Sequence, residues 1–411
     1  MNMNFQKFTS NPNRLLNAIT FTTFAVLFLF HIYPIGLSDA YWHLNTGRWI
    51  WEHSTLPISD PFTYTSIGNP NLTLQNYWQQ LVLQGYWLAQ LVFFAIYSAC
   101  GMWGLVFLKA ALFLALYWLA WRIMRQAKVD ALLSLLAILI LPWLLYRYDE
   151  LRPHLFSFIG VLLVFMSLTQ ALKALRNGEL LPLSLTSLPV TMLIWANLHP
   201  GFILGWVVIF VMLSGTLFDQ WRDADTLSHA ALRNLLLSCG IALCASIANP
   251  LTYSFITNMM VMKDQYALGV DEFLPLFNYA QMYQQPLLFY GVLVLVLGMT
   301  GILMRCWRDV SPAHAILFIG FVAAGFTAFR YMIFGVLMAL IIGMPQLSAL
   351  LDSTSTRLRG IFLGLVAAAI LGVSYLTFQH HAWKQGAVET AYVPDTHAAQ
   401  SDRAPECQPA H

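Results

Sequence analysis

Asp39 is the first residue whose type and position could do chemistry. It follows the apolar run Leu15–Ile35 by a few residues, so the covalent chain holds it just beyond the end of that run. A carboxylate so placed could take a proton from an acceptor hydroxyl, provided that desolvation or a neighbouring charge tunes its pKa. The aromatic spacing of LSDAYWHLNTGRWIWEH suggests a helix, which puts Asp39 and His43 four apart on one face. There they could ligate a divalent cation together or hold an acceptor. Plainer roles fit the same stretch: Asp39 as a helix N-cap, and Tyr41, Trp42, Trp49 and Trp51 as an interfacial aromatic belt. Asp60, before Pro61, reads as a turn former.

Four more polar residues lie far along the chain. Arg152 in YRYDELRPHLFSF has the fork geometry that suits a phosphate, and it also has Asp149 and Glu150 beside it as partners. In WANLHPGF the turn between two apolar runs explains Pro200 and Gly201 but not His199. Arg330 in AFRYMIF is a lone cation between apolar runs, costly there without an anion, and a lipid phosphate would serve. Asp271 opens the polar segment DEFLP. Lys109, inside an apolar run, is expected to snorkel to the interface on its long stem. The cysteines Cys100, Cys239, Cys244, Cys306 and Cys407 are scattered without metal-ligand spacing and read as core residues. P-loop, HExxH, GxSxG and dinucleotide fingerprints are absent, and no acid falls in the middle of an apolar run, which weighs against an ion-coupled transporter.

What must position these residues is a membrane bundle. The chain of 411 residues is 58% hydrophobic and 10% charged, with mean hydropathy +0.63, whereas about a quarter of a soluble domain is charged. Its net charge of +2 gives no support for nucleic acid as a partner. Cut at charges and Pro/Gly punctuation, the sequence holds about eleven apolar runs, from Leu15–Ile35 through Met102–Trp121 to Ile361–Phe378. No small-residue cleavage site follows the first, so it is expected to be a retained span. The stretch Asn76–Ala99 is apolar but carries Gln79, Gln80, Gln84 and Gln90. Laid in the outer interface, it leaves most of the 21 Lys and Arg residues cytoplasmic, as the positive-inside rule asks. The expectation is an all-α polytopic membrane protein: one helical domain over 1–378, with 37–100 as a first outer loop holding two interfacial helices. A disordered outer tail at 379–411 follows, and the N-terminus is cytoplasmic. The polar segments named above then meet on the outer face.

In this order, SDAYWHLNTGRWIWEHSTLPISDPFTYT, the Trp78 segment, RPHLFSF, WANLHPGF, NPLTYSF, DEFLP and FRYMIFG resemble the bacterial membrane glycosyltransferases of the GT-C superfamily. The resemblance runs from about Leu37 to Gly335. It implies a helical bundle whose first outer loop carries two interfacial helices and an acidic residue that activates the acceptor, matched here by Asp39. It further implies a sugar donor on a polyprenyl phosphate, inversion at the anomeric carbon, and a glycan, lipid or protein acceptor in the cell envelope. Arg330 and Arg152 would meet the phosphate, and His43, His199 and Asp271 would orient substrate. Where relatives commonly have His-Glu-Trp, this chain has Asn76-Tyr77-Trp78, so one carboxylate is missing. A non-catalytic subunit of envelope glycan assembly, and a glycan or lipid transporter or ligase, stay open as alternatives.

Overall fold

The computed structural model describes residues 12–35, 39–58, 61–62, 82–145, 148–222, 226–251, 271–353 and single positions between 360 and 375. Among them the chain is helical, with no strand. The first apolar run forms α1 (Pro12–Phe30), and the polar stretch after it forms α2 (Asp39–His53). Next come α3 (Trp87–Gln126), α4 (Ala131–Leu139), a short α5 (Leu141–Leu145) and α6 (His154–Arg176). Helices α7 (Leu183–Leu198) and α8 (Ile203–Trp221) are joined by a 3-10 turn at Pro200–Phe202, and α9 (His229–Ile247) follows. A second 3-10 turn, Asp271–Phe273, leads to α10 (Leu276–Met282), α11 (Pro286–Arg305) and α12 (Pro312–Thr327). A third, Phe329–Tyr331, opens α13 (Met332–Asp352).

Six stretches among the described residues are long and apolar enough to cross a membrane: Trp87–Gln126, His154–Arg176, Pro200–Trp221, His229–Ile247, Pro286–Arg305 and Phe329–Asp352. Arg14–Phe30, Ala131–Leu145, Leu183–Leu198 and Pro312–Thr327 are apolar but shorter, below the roughly 20 residues that a bilayer core asks of a straight helix. The run expected at Ile361–Phe378 lies mostly outside the described residues, as do Asp60, Tyr77 and the tail at 379–411. Local chemistry sets the boundaries. Asp130 caps α4 by accepting the Leu132 and Leu133 N–H groups, and Ser228 and Ser311 cap α9 and α12 in the same way. Helix α13 is apolar on every side and buried without a break over 332–344, so it belongs in the middle. Helices α11 and α12 pack on it, while α6 gathers α3, α7 and α8.

Helix α3 is two helices in one. Gly101 has φ +63° and ψ −160° in the middle of it, a conformation that a residue with a Cβ resists, and the chain changes direction there. The 87–100 half carries α2 across it at very close range. A Cβ at Gly47 would sit 2.0 Å from the Gln90 carbonyl oxygen, and the Gln90 side-chain amide reaches His43 Nδ1 at 3.2 Å. Gly47→Ala is therefore expected to destabilise the protein by about 2 kcal/mol, read as a lower melting temperature of the detergent-solubilised chain. Gly240→Ala, where a Cβ meets nothing within 4 Å in the middle of α9, should not lower the melt and should raise it slightly.

Candidate functional site

Alternating helix directions bring the start of α2, the loop before α6, the α7–α8 turn, the Asp271–Phe273 turn and the α12–α13 turn to one end of the bundle. The two interhelical turns are built alike. Helix α7 stops at His199 (φ −161°, ψ 137°), held extended by the proline after it, and α12 stops at Ala328 (φ −149°, ψ 129°). A 3-10 turn follows each, and the second presents Arg330. That turn is firmly seated: the Phe329 N–H donates to the Leu274 carbonyl at 2.8 Å, and its carbonyl accepts from the Tyr148 hydroxyl. The Phe329 ring stacks on Tyr148 and on Tyr279, with centroids 4.9 and 3.7 Å apart.

Arg152 joins three carboxylates from three places in the chain. Its Nε lies 3.1 Å from Asp39 Oδ2 and 2.8 Å from Glu150 Oε2, and its Nη1 donates to Glu272 Oε1 at 2.5 Å. The two Nε contacts lie off the hydrogen-bond line, so coulombic attraction carries them while the Glu272 bond is aligned. Burial opposes the Arg152 charge, yet Glu272, Glu150 and Asp39 outweigh it and hold the guanidinium pKa above its usual value.

Glu272 also lines an adjoining cavity of about 220 Å3 whose wall includes Tyr86, His154, His199 and Arg330. The Arg330 guanidinium lies 4.4 Å from the Phe273 ring centre, and among the described residues no carboxylate comes within ion-pair distance of it. His199 Nδ1 accepts from the Gly201 N–H at 2.9 Å, and the Ser157 hydroxyl lies 2.7 Å from the same nitrogen. With Nδ1 occupied as an acceptor, the ring proton sits on Nε2 and the imidazole is neutral. Burial first, then the Arg330 charge, push its pKa well below the usual histidine value. Tyr86 stacks flat on His199, centroids 5.1 Å apart, and meets His43 edge-on at 5.6 Å. Trp87 Nε1 donates to Asn197 Oδ1 at 3.0 Å, fastening the start of α3 to the end of α7. Buried His154 Nε2 has no hydrogen-bond partner among the described residues.

Asp39, Arg152, His199 and Arg330 thus gather at one end of the bundle, with His43 buried just behind them. Asp39 does not line the cavity; it stands at the rim, half-exposed, linked to the cavity through Arg152 and Glu272. Asp271 is not on the cavity wall: its Oδ2 accepts from the Tyr283 hydroxyl at 2.5 Å, and its neighbour Glu272 faces Arg152 instead. Glu272 and Ser157 lie inside the DEFLP and RPHLFSF motifs without a signal that sets them apart, and Tyr86 reads in the sequence only as a headgroup-level aromatic of the interfacial stretch. Arg48 and Glu52 pair with each other on the exposed side of α2. Among the described residues no three His, Cys, Asp or Glu side chains come together as metal ligands.

Burial, then the nearby Arg152 charge, lower the His43 pKa from 6.5 to about 3. The unfolded chain therefore binds a proton that the folded chain refuses, and stability falls as pH drops below 6.5 toward about 3. The slope is about 1.4 kcal/mol per pH unit for this residue. The melting temperature should fall between about pH 7 and about pH 5, and His43→Gln should make that dependence shallower, with His199 keeping a share of its own. No protein-family model matches this chain, and no curated protein matches it.

Proposed function

We propose that the protein is a glycosyltransferase of the GT-C kind in the bacterial cytoplasmic (inner) membrane. In this reading it moves a sugar from a polyprenyl-phosphate carrier to an envelope glycan, lipid or protein acceptor, with inversion. The observation that carries the reading is the pairing of two arginines in different states at one end of an apolar bundle. Arg152 is saturated by Asp39, Glu150 and Glu272, while Arg330 faces the neighbouring cavity with no such partner among the described residues. An arginine facing a cavity at the end of a bundle suits a phosphate on a membrane-held lipid.

The chemistry follows from these places. The acceptor hydroxyl gives its proton to the Asp39 carboxylate as its oxygen bonds the anomeric carbon from the face opposite the departing phosphate. The bond from that carbon to the phosphate oxygen breaks, and the lipid phosphate keeps the electron pair. Its charge is met by Arg330 and by the Nε2–H donor of His199. Arg152 orients Asp39 without surrendering its own charge. Helix α2 and the 87–100 half of α3 serve as the two interfacial helices of a first outer loop, within a bundle of about eleven spans. The N-terminus is then cytoplasmic, and the site is on the outer side.

The test is transfer from a polyprenyl-phosphate sugar by the purified chain in detergent or vesicles. Asp39→Asn should lower the rate by about a hundredfold or more, the range for losing a general base, with insertion unchanged and the melting temperature only slightly lower, since Glu150 and Glu272 still hold Arg152. Arg330→Gln should raise the donor KM by about tenfold. Full activity in Asp39→Asn would rule out the assigned base. Growth complementation by an Asp39→Asn, Arg330→Gln chain would identify a non-catalytic assembly subunit instead.

A further inference from the structure

Asp149 stands three positions before Arg152, yet it turns into the bundle. Its carboxylate is 1% exposed, and Oδ1 lies 2.9 Å from His31 Nδ1 and 3.7 Å from Lys109 Nζ, both equally buried. The Asp149 carbonyl accepts from the Tyr33 hydroxyl at 2.8 Å, and the Lys109 ammonium lies 3.3 Å from the centre of the Tyr33 ring. His31 Nε2 is 2.8 Å from the Tyr117 hydroxyl, and its ring stacks on Phe113. None of these groups lines the cavity, and the proposed transfer uses none of them. Lys109 does not snorkel, as its sequence position suggested; its ammonium is held inside by a carboxylate and an aromatic face.

Burying these charges is costly, and an apolar cluster of equal volume would join the same helices as well or better. The connectivity of the charges indicates what they do. Two contacts tie the same two segments together, the His31 ring against the Asp149 carboxylate at one level and the Asp39–Arg152 ion pair at the next, with the Tyr33 hydroxyl bonded to the Asp149 backbone between them. The deeper pair is sealed from solvent, whereas Asp39 in the outer pair is 54% exposed. Only the deeper pair can set position, because an exposed pair is screened and readily exchanged.

We propose that Asp149, held by His31 and Lys109, is a positioning residue that fixes where segment 149–152 presents the Arg152 guanidinium to Asp39 and Glu272. This rests on the reading of Arg152 and Asp39 as parts of a catalytic site.

Melting temperature and donor kinetics of the full chain in detergent test it together. Asp149→Asn leaves Lys109 as an orphan buried cation and should lower the melting temperature. Adding Lys109→Met should restore it, because removing both charges leaves neither unpaired. With stability restored, kcat should stay lowered by about tenfold while the donor KM changes less, the signature of a misplaced base. Recovery of kcat along with stability would make the cluster a packing feature only and overturn the proposal. A cycle with Arg152→Gln gives a readout independent of sugar transfer. The melting shift from Arg152→Gln should shrink in the Asp149→Asn, Lys109→Met background, since Arg152 is already out of place there. Equal shifts in both backgrounds would overturn the positioning role. If the wild-type chain transfers no sugar, the catalytic reading fails on its own and the cycle still decides the anchor.

Discussion

A guanidinium that is three-quarters buried has to be answered by carboxylates, and Arg152 recruits its partners from well-separated parts of the chain. That requirement disciplines the whole end of the bundle. Helix α2 must begin where Asp39 can reach the Arg152 side chain. The 271–273 turn must put Glu272 on the same side. The loop before α6 must stay irregular so that Arg152 and Glu150 can come together across one residue. Irregular backbone in an apolar bundle is tolerated where protein buries it or water fills a cavity beside it. Around Arg152 the protein buries it, with the Asp149 cluster on one side and the cavity on the other.

Close packing makes the arrangement stiff. Gly47 lets α2 lie against the backbone of the 87–100 segment. Trp87 ties the start of that segment to Asn197, whose amide also donates to the Leu193 carbonyl one turn back in α7 and to the Ala248 carbonyl at the end of α9. Stacking of Tyr86 on His199 adds an apolar contact in the same place. Polar residues here are linked through backbone groups and flat rings, which move little, so the cavity keeps its shape.

The parts legible in the sequence were those where polarity interrupts an apolar pattern. Asp39, Arg152, His199 and Arg330 each stand at the edge of an apolar run, and such edges fall at helix ends. The change of direction at Gly101 falls between the glutamine-bearing stretch and the apolar run that starts at Met102. Other features needed three dimensions. Asp271 and Glu272 are adjacent and chemically alike, and only the pitch of a 3-10 turn decides which faces Arg152. Lys109 had no visible partner because Asp149 is 40 positions away and looked like a neighbour for Arg152. His31 lies inside an apolar run without any periodic signal. Several apolar runs form helices shorter than a bilayer, since Pro and capping residues cut them inside the hydrophobic pattern.

The lock on His199 reaches beyond its own hydrogen bonds. An imidazole whose Nδ1 already accepts from a backbone N–H cannot take up a second proton without breaking that contact, so it behaves as a fixed dipole with its positive end at Nε2. Arginine does not titrate in the accessible range either. The positive part of the cavity wall, Arg330 and this ring, therefore keeps its charge and its direction wherever the protein is folded, beside the Glu272 carboxylate on the same wall.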